Sequence, residues 1–128
     1  PICVKLLMRG KEIRLHDAGE PVRNWLHSDD TANAVTKIIE SGTFNEIYNV
    51  AGGFEQKNKN TVKKIINCFF NDDRDYIKYV NLQHKRPGQD VRYALNDDKL
   101  RALGWRPERV FDQEIQSIVD YYKNNFKW

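Results

Sequence analysis

His84-Lys85-Arg86-Pro87-Gly88-Gln89-Asp90-Val91-Arg92-Tyr93 places three potential cations ahead of a Pro-Gly pair. Proline fixes one backbone angle and the following glycine is free to take positive φ, so the pair predicts a tight turn that aims Arg86. A guanidinium held this way can grip a phosphate through two parallel hydrogen bonds, where lysine would offer a mobile point charge. Arg-Pro-Gly is equally an ordinary surface turn, and these residues alone do not separate the two readings. Its company carries more weight. Arg23-Asn24-Trp25-Leu26, Tyr48-Asn49-Val50-Ala51-Gly52-Gly53, Glu55-Gln56-Lys57-Asn58 and Leu103-Gly104-Trp105-Arg106-Pro107 stand around it in a fixed order.

The 128 residues suffice for one domain with a real core, but not for a dinucleotide-binding domain plus a substrate domain. Apolar residues make up 40% and charged residues 30%, a globular composition. No apolar run approaches the ~20 residues that span a bilayer, so a soluble protein is expected. Cys3 and Cys68 lack metal-ligand spacing and His16, His27 and His84 form no cluster with them, so no metal is expected and a reducing, cytoplasmic setting fits. A net charge of +3 with interspersed signs suits an anionic small ligand and is too small and mixed to argue for nucleic acid. The opening Pro1-Ile2-Cys3-Val4 has neither methionine nor the pattern of a leader, and residues 1–128 are expected to be one domain cut from a longer chain.

Along the chain, the apolar residues from Ile2 to Met8 predict the end of a buried helix stopped by Gly10. Glu12 to His16 alternates like a half-buried strand, and the turn residues Asp17 to Pro21 lead into a second strand, Val22 to His27, which predicts a hairpin-like pair. Ser28-Asp29-Asp30 caps a helix from Thr31 to Glu40 with Ala34, Val35, Ile38 and Ile39 on one face. Capping explains the two aspartates more cheaply than a catalytic or metal-binding pair. Phe44 to Val50 reads as a short strand that breaks at Ala51-Gly52-Gly53, where backbone can approach a ligand or cross another segment.

Val62, Ile65, Ile66, Phe69 and Phe70 then mark an amphipathic helix, with Asn58 at its start either as a simple cap or beside an anion at the helix's positive end. After the polar loop Asn71 to Asp75, Tyr76 to Val80 reads as a strand. Asn96-Asp97-Asp98 caps a short helix through Leu103, Gly104 ends it, and Trp105 packs the corner. A final helix near Phe111 to Asn125 buries Phe111, Ile115, Ile118, Val119 and Tyr122.

From about Lys11 to Trp128, the ordered pieces Arg23-Asn24-Trp25-Leu26, Ser28-Asp29-Asp30, Tyr48 to Gly53, Glu55 to Asn58, Arg86 to Tyr93 and Leu103 to Pro107 resemble the C-terminal part of the extended short-chain dehydrogenase/reductases that act on nucleotide sugars, most closely the dTDP-glucose 4,6-dehydratases. The resemblance implies an α/β fold: a C-terminal substrate-binding part with helices and short strands, and the Rossmann nucleotide-binding core largely absent. It implies that Arg23 and Arg86 reach the nucleotide's phosphates, that Asn58 bonds the nucleotide near them, and that Arg14 and His16 lie beside the nucleobase. The family tends to carry proline and tyrosine at those last two positions and histidine at Gln89, so the resemblance supports nucleotide-sugar binding more firmly than thymidine preference.

It also implies NAD, held on a glycine-rich turn, and a catalytic tyrosine with lysine four residues later. The seven glycines form no such turn, none of the six tyrosines has a lysine at that spacing, and no Asp-Glu acid/base pair occurs. The implied role of this chain is therefore to bind and orient a nucleotide sugar such as dTDP-glucose, with no catalytic residue and no cofactor site of its own. The whole enzyme would be a homodimeric lyase. Another nucleotide-sugar epimerase, decarboxylase or dehydratase, and a non-catalytic nucleotide-binding module, are the alternatives.

Overall fold

The computed structural model describes residues 1–125, and the last residues of the likeness, 126–128, lie outside that range. At its centre is the predicted amphipathic helix, Asn58–Phe70, the third in chain order (α3). Val62 and Ile66 of its stripe are buried, with Ile65, Phe69 and Phe70 packed at the margin of the core. The helix ends where Asn71 takes a left-handed conformation (φ 57°, ψ 34°) and donates its N–H to the Asn67 carbonyl. The first helix (α1, Ile2–Met8) and the last (α5, Phe111–Asn125) pack against it, α1 adding Leu7 to one cluster and Val4 joining Ile115 and Val119 in a second. Burial of a side chain such as Ile66 stabilises the fold by roughly 1.5–3 kcal/mol.

Two separate two-stranded sheets flank these helices among the described residues, and their pairing corrects the expected hairpin. β1 (Ile13–His16) runs parallel to β4 (Val80–His84), while β2 (Val22–Trp25) runs antiparallel to β3 (Phe54–Lys57). Between β1 and β2 the chain makes a 3₁₀ turn, Asp17–Gly19, with Asp17 at φ 48° and Ala18 at φ 53°. That turn leads away from a ladder. Pairing with β4 instead sets Ile13 and Leu15 against Val80, Val62 and Ile66 in the core, a burial that an isolated hairpin could not provide. The register slips by one residue between Arg14↔Asn81 and His16↔His84, so β4 carries one extra residue just before the Arg86 turn.

The predicted strand over Tyr76 to Val80 is instead a 3₁₀ helix, Tyr76–Tyr79, capped by the Asp75 carboxylate, and β4 begins where it stops. Phe44 to Val50 forms no strand: it has no hydrogen-bonded neighbour strand among the described residues, and Phe44 and Ile47 are exposed. Phe54 to Lys57 lacks apolar alternation and becomes β3 only by lying against β2.

The second helix (α2, Ser28–Ser41) starts earlier than predicted, with the His27 ring nitrogen accepting the Asp29 N–H as its cap. Only Ala34 of its apolar face is fully buried, in a third cluster with Leu100 and Trp105; Val35 and Ile39 are exposed. Leu100 comes from the short helix α4 (Asp98–Ala102), whose first-turn Asp98 N–H is taken by the Asn96 side chain. Asp30 is not a cap of its own helix. Buried within α2, its carboxylate accepts the backbone N–H groups of Glu108 and Arg109, and its carbonyl accepts the Trp105 indole N–H.

Candidate functional site

β1 and α3 come together around a cavity of about 770 Å³, and Arg14, His16, Asn58 and Gln89 all line it. Strand alternation explains the first two, since Ile13 and Leu15 point into the core and leave Arg14 exposed and His16 half-buried on the other face. Asn58 is the first residue of α3, whose opening turn contains no acidic residue to offset its positive end. The Asn58 backbone N–H is already bound to the Pro21 carbonyl at 3.0 Å, which ties the start of the helix to the chain entering β2.

The predicted turn is present. Gln89 donates its N–H to the Arg86 carbonyl at 3.1 Å, and Gly88 sits at φ 76°, a position that favours glycine. Arg86 itself is exposed on the wall of a neighbouring cavity of about 390 Å³ with Glu20, Pro87 and Gln89, and Gln89 borders both spaces. Arg23 lies elsewhere: it lines another cavity of about 390 Å³ with Asn24, Gly52, Arg92 and Tyr93. Its guanidinium donates to the Val22 carbonyl at 2.7 Å and the Asp90 carbonyl at 3.1 Å, and sits 4.3 Å from the centre of the Tyr93 ring. The structure thus gathers Arg14, His16, Asn58 and Gln89, puts Arg86 on the wall of the neighbouring cavity that Gln89 also borders, and sets Arg23 against Asp90 and Tyr93 in a third cavity.

Charge around the site is partly matched. Glu20 receives both Lys57 and Lys59, which flank Asn58, and those ammonium groups push its carboxyl down to about 2. Arg92 is forked onto Glu55, at 2.8 and 3.1 Å, so its charge is spent within the protein. The Arg86 side chain makes no hydrogen bond or ion pair among the described residues and remains available to an anion. The Tyr93 phenol, beside the Asp90 carboxylate, is held above its ordinary value.

Several lining residues had no warning in the sequence. Asn81 reaches the cavity only because parallel pairing sets it opposite Arg14, and Thr61 because one turn of α3 follows Asn58. Glu12 was legible in principle, since it shares the alternation that puts Arg14 and His16 on one face. His84 backs the site, its ring 5.3 Å from that of His16. Cys3 also lines the cavity, but burial pushes its thiol up, which makes it wall and not nucleophile. Fixed polar groups and cations around an open, partly apolar space can grip an anion and orient the groups attached to it.

The sequence model of the family described as GDP-mannose 4,6 dehydratase matches residues 3–118. The chain is 31% identical to dTDP-glucose 4,6-dehydratase 1 of Escherichia coli strain K12, over 100% of this chain and 37% of that protein. It is also 31% identical to the trifunctional UDP-glucose 4,6-dehydratase, epimerase and reductase of Arabidopsis thaliana, over 100% of this chain and 19% of that protein. Among solved structures, the dTDP-glucose 4,6-dehydratase DesIV of Streptomyces venezuelae, with NAD bound, superposes with a TM-score of 0.87 at 30% identity, covering 98% of this chain and 38% of that one. The chain therefore spans only about a third of the length of such relatives. With the family's pattern running through all but the ends of the sequence, and the same fold in a solved relative, this chain belongs to the GDP-mannose 4,6 dehydratase family.

Proposed function

We propose that this chain is the nucleotide-sugar-binding part of an NAD-dependent dTDP-glucose 4,6-dehydratase, a cytoplasmic homodimeric lyase that converts dTDP-glucose to dTDP-4-keto-6-deoxyglucose in deoxysugar biosynthesis. The observation that carries the reading is the convergence of Arg14, His16, Asn58 and Gln89, expected beside a nucleotide, on one cavity of suitable size. In this reading Asn58 and the start of α3 meet the phosphates, Arg86 and Arg23 grip them through charge-assisted bonds, Arg14 and His16 flank the base, and Gln89 orients the ligand.

NAD would supply hydride transfer in such an enzyme, but the residues here do not fit a dinucleotide. The two tight junctions of a strand with an α-helix, β2 into α2 and β3 into α3, carry no glycine, so neither offers the close backbone approach that a bound pyrophosphate needs. In this reading the cofactor and the proton-transferring groups are supplied by other residues of the whole enzyme. What this chain contributes is grip and orientation.

A second reading has its own support. Arg14, His16 and Gln89 depart from the dTDP-glucose pattern, and a relative of equal identity is named for UDP-glucose, so a different nucleotide sugar is the alternative substrate. Calorimetric titration of the complete natural protein that contains these residues with dTDP, UDP and GDP tests the binding role. Incubation with NAD and dTDP-glucose, followed by mass spectrometry for loss of one water, tests the reaction. Binding of dTDP and a dehydrated sugar are expected; failure to bind any nucleoside diphosphate would sink the proposal.

A further inference from the structure

Glu20 holds two lysines across the start of α3. One oxygen of its carboxylate accepts the Lys57 ammonium at 2.8 Å and the other accepts the Lys59 ammonium, so the cations on either side of Asn58 are drawn to a single acid. The backbone beneath that acid is fixed on the helix: a Cβ on Gly19 would stand 2.8 Å from the Lys59 Cβ and 2.9 Å from the Lys59 nitrogen, and the Pro21 carbonyl accepts the Asn58 N–H at 3.0 Å. The first turn of α3 has no acidic residue of its own, and Glu20 brings one from outside. Glu20 also walls the cavity of about 390 Å³ that Asp17, Lys85 and Arg86 share. With Lys57 and Lys59, these groups are four cations and two carboxylates, a surplus of two positive charges. Resting on the nucleotide-sugar reading above, which brings the diphosphate to Asn58 and Arg86, that surplus equals the two negative charges of a diphosphate esterified at both ends. A free nucleoside diphosphate gains a third on its terminal phosphate near neutral pH.

We propose that Glu20 is a specificity-determining residue that favours diphosphates esterified at both ends, the charge class of nucleotide sugars, over free nucleoside diphosphates. It acts through the field at the start of α3: its carboxylate cancels one of the two lysines and opposes each further negative charge brought there. The Arg86 fork, which Glu20 does not engage, stays free to grip the phosphates that both ligand classes share. A site matched in this way stays open to a nucleotide sugar when the corresponding nucleoside diphosphate is also present.

dTDP and its β-methyl ester share base, ribose and both phosphates, differ by one charge on the terminal phosphate, and carry no hexose to react. Dissociation constants for this pair, or for UDP and its methyl ester where UDP binds more tightly, are measured by calorimetry on the complete natural protein, on its Glu20→Gln variant and on a Glu20→Gln, Lys59→Gln double variant. Glu20 is exposed, so its replacement is expected to leave the fold intact. Glu20→Gln should strengthen the free diphosphate about two- to five-fold more than the ester, the scale of one exposed charge pair. The double variant removes a cation as well and should return the ratio toward its native value, and high ionic strength should shrink the difference. A ratio unmoved in Glu20→Gln, a shift that the double variant fails to reverse, or one that survives high ionic strength overturns this inference while leaving nucleotide binding intact. Binding of none of these compounds would instead bring down the broader functional reading and this one with it.

Discussion

The guanidinium of Arg23 lies 4.3 Å from the centre of the Tyr93 ring while donating to the Asp90 carbonyl at 3.1 Å, so one side chain ties β2 to the segment that follows the Arg86 turn. The contact has two consequences. It holds the fork of Arg23 in one orientation, and it makes the position of the 90–93 segment depend on an arginine.

Replacing Arg23 or Arg86 by alanine removes a charge-assisted bond to the proposed pyrophosphate, worth roughly 1.5–3 kcal/mol, and nucleotide affinity should fall about 10- to 100-fold. Arg→Lys should recover only part of this, since the charge returns without the fork. Arg23→Ala should also loosen residues 90–93, visible as faster amide exchange there, whereas Arg86→Ala should not, because the Arg86 side chain makes no hydrogen bond or ion pair among the described residues. Unchanged dissociation constants for dTDP, UDP and GDP in both variants would reduce the Arg86 turn to an ordinary surface feature.

Gly52 is fixed by a close crossing. Its N–H donates to the Asn24 side chain at 2.8 Å, and a Cβ there would stand 2.1 Å from the Trp25 carbonyl oxygen. Gly52→Ala must push two backbone segments apart, and a loss of about 2–3 kcal/mol is expected, at the upper end of overpacking costs. Thermal denaturation should show a midpoint lower by several degrees; an unchanged midpoint would mean that the crossing is looser than the structure shows.

Glu20 provides a pH test. Its carboxyl is depressed from 4.5 to about 2 by Lys57 and then Lys59, so whatever stability the pairs lend is present above pH 4.5 and is lost as pH falls toward 2. The group is exposed, and its contribution to overall stability is small. Carbon-detected NMR should find the Glu20 carboxyl titrating near the bottom of the accessible range. In a Lys57→Gln, Lys59→Gln double variant the midpoint should return toward ordinary glutamate values, and a native midpoint already near 4.5 would exclude the pairing.

Val35, Ile39, Phe44 and Ile47 are exposed by 49, 79, 89 and 85%, an apolar surface running from α2 into the segment that formed no strand. The isolated 128-residue chain is expected to self-associate, and Ile39→Lys with Ile47→Lys to reduce that association. Sedimentation over a concentration series gives the answer: a native chain that stays monomeric throughout, without binding a hydrophobic dye, would contradict it.

Helices were the legible part of this sequence. The stripe of Val62, Ile65, Ile66, Phe69 and Phe70 and that of Ile115 and Val119 are written in the spacing of neighbouring residues, and the turn at Pro87-Gly88 is set by two adjacent backbone angles. Such features depend on residues a few positions apart, so the chain declares them locally. The family was legible too, through the order of its short motifs along the chain.

Tertiary structure decided which strands pair and therefore which residues meet. Nothing local says that Arg14 will face Asn81 and not a residue of β2, that Phe54 to Lys57 will become a strand, or that Asp30 will hold the backbone of Glu108 and Arg109 from inside a helix. A strand's alternation fixes which side chains share a face but leaves the partner open, because ladder hydrogen bonds are made by backbone groups common to every residue. The choice falls to burial: β1 lies beside β4 because that arrangement encloses Ile13, Leu15 and Val80 over α3, and the cavity that gathers Arg14, His16, Asn58 and Gln89 is a consequence of that packing.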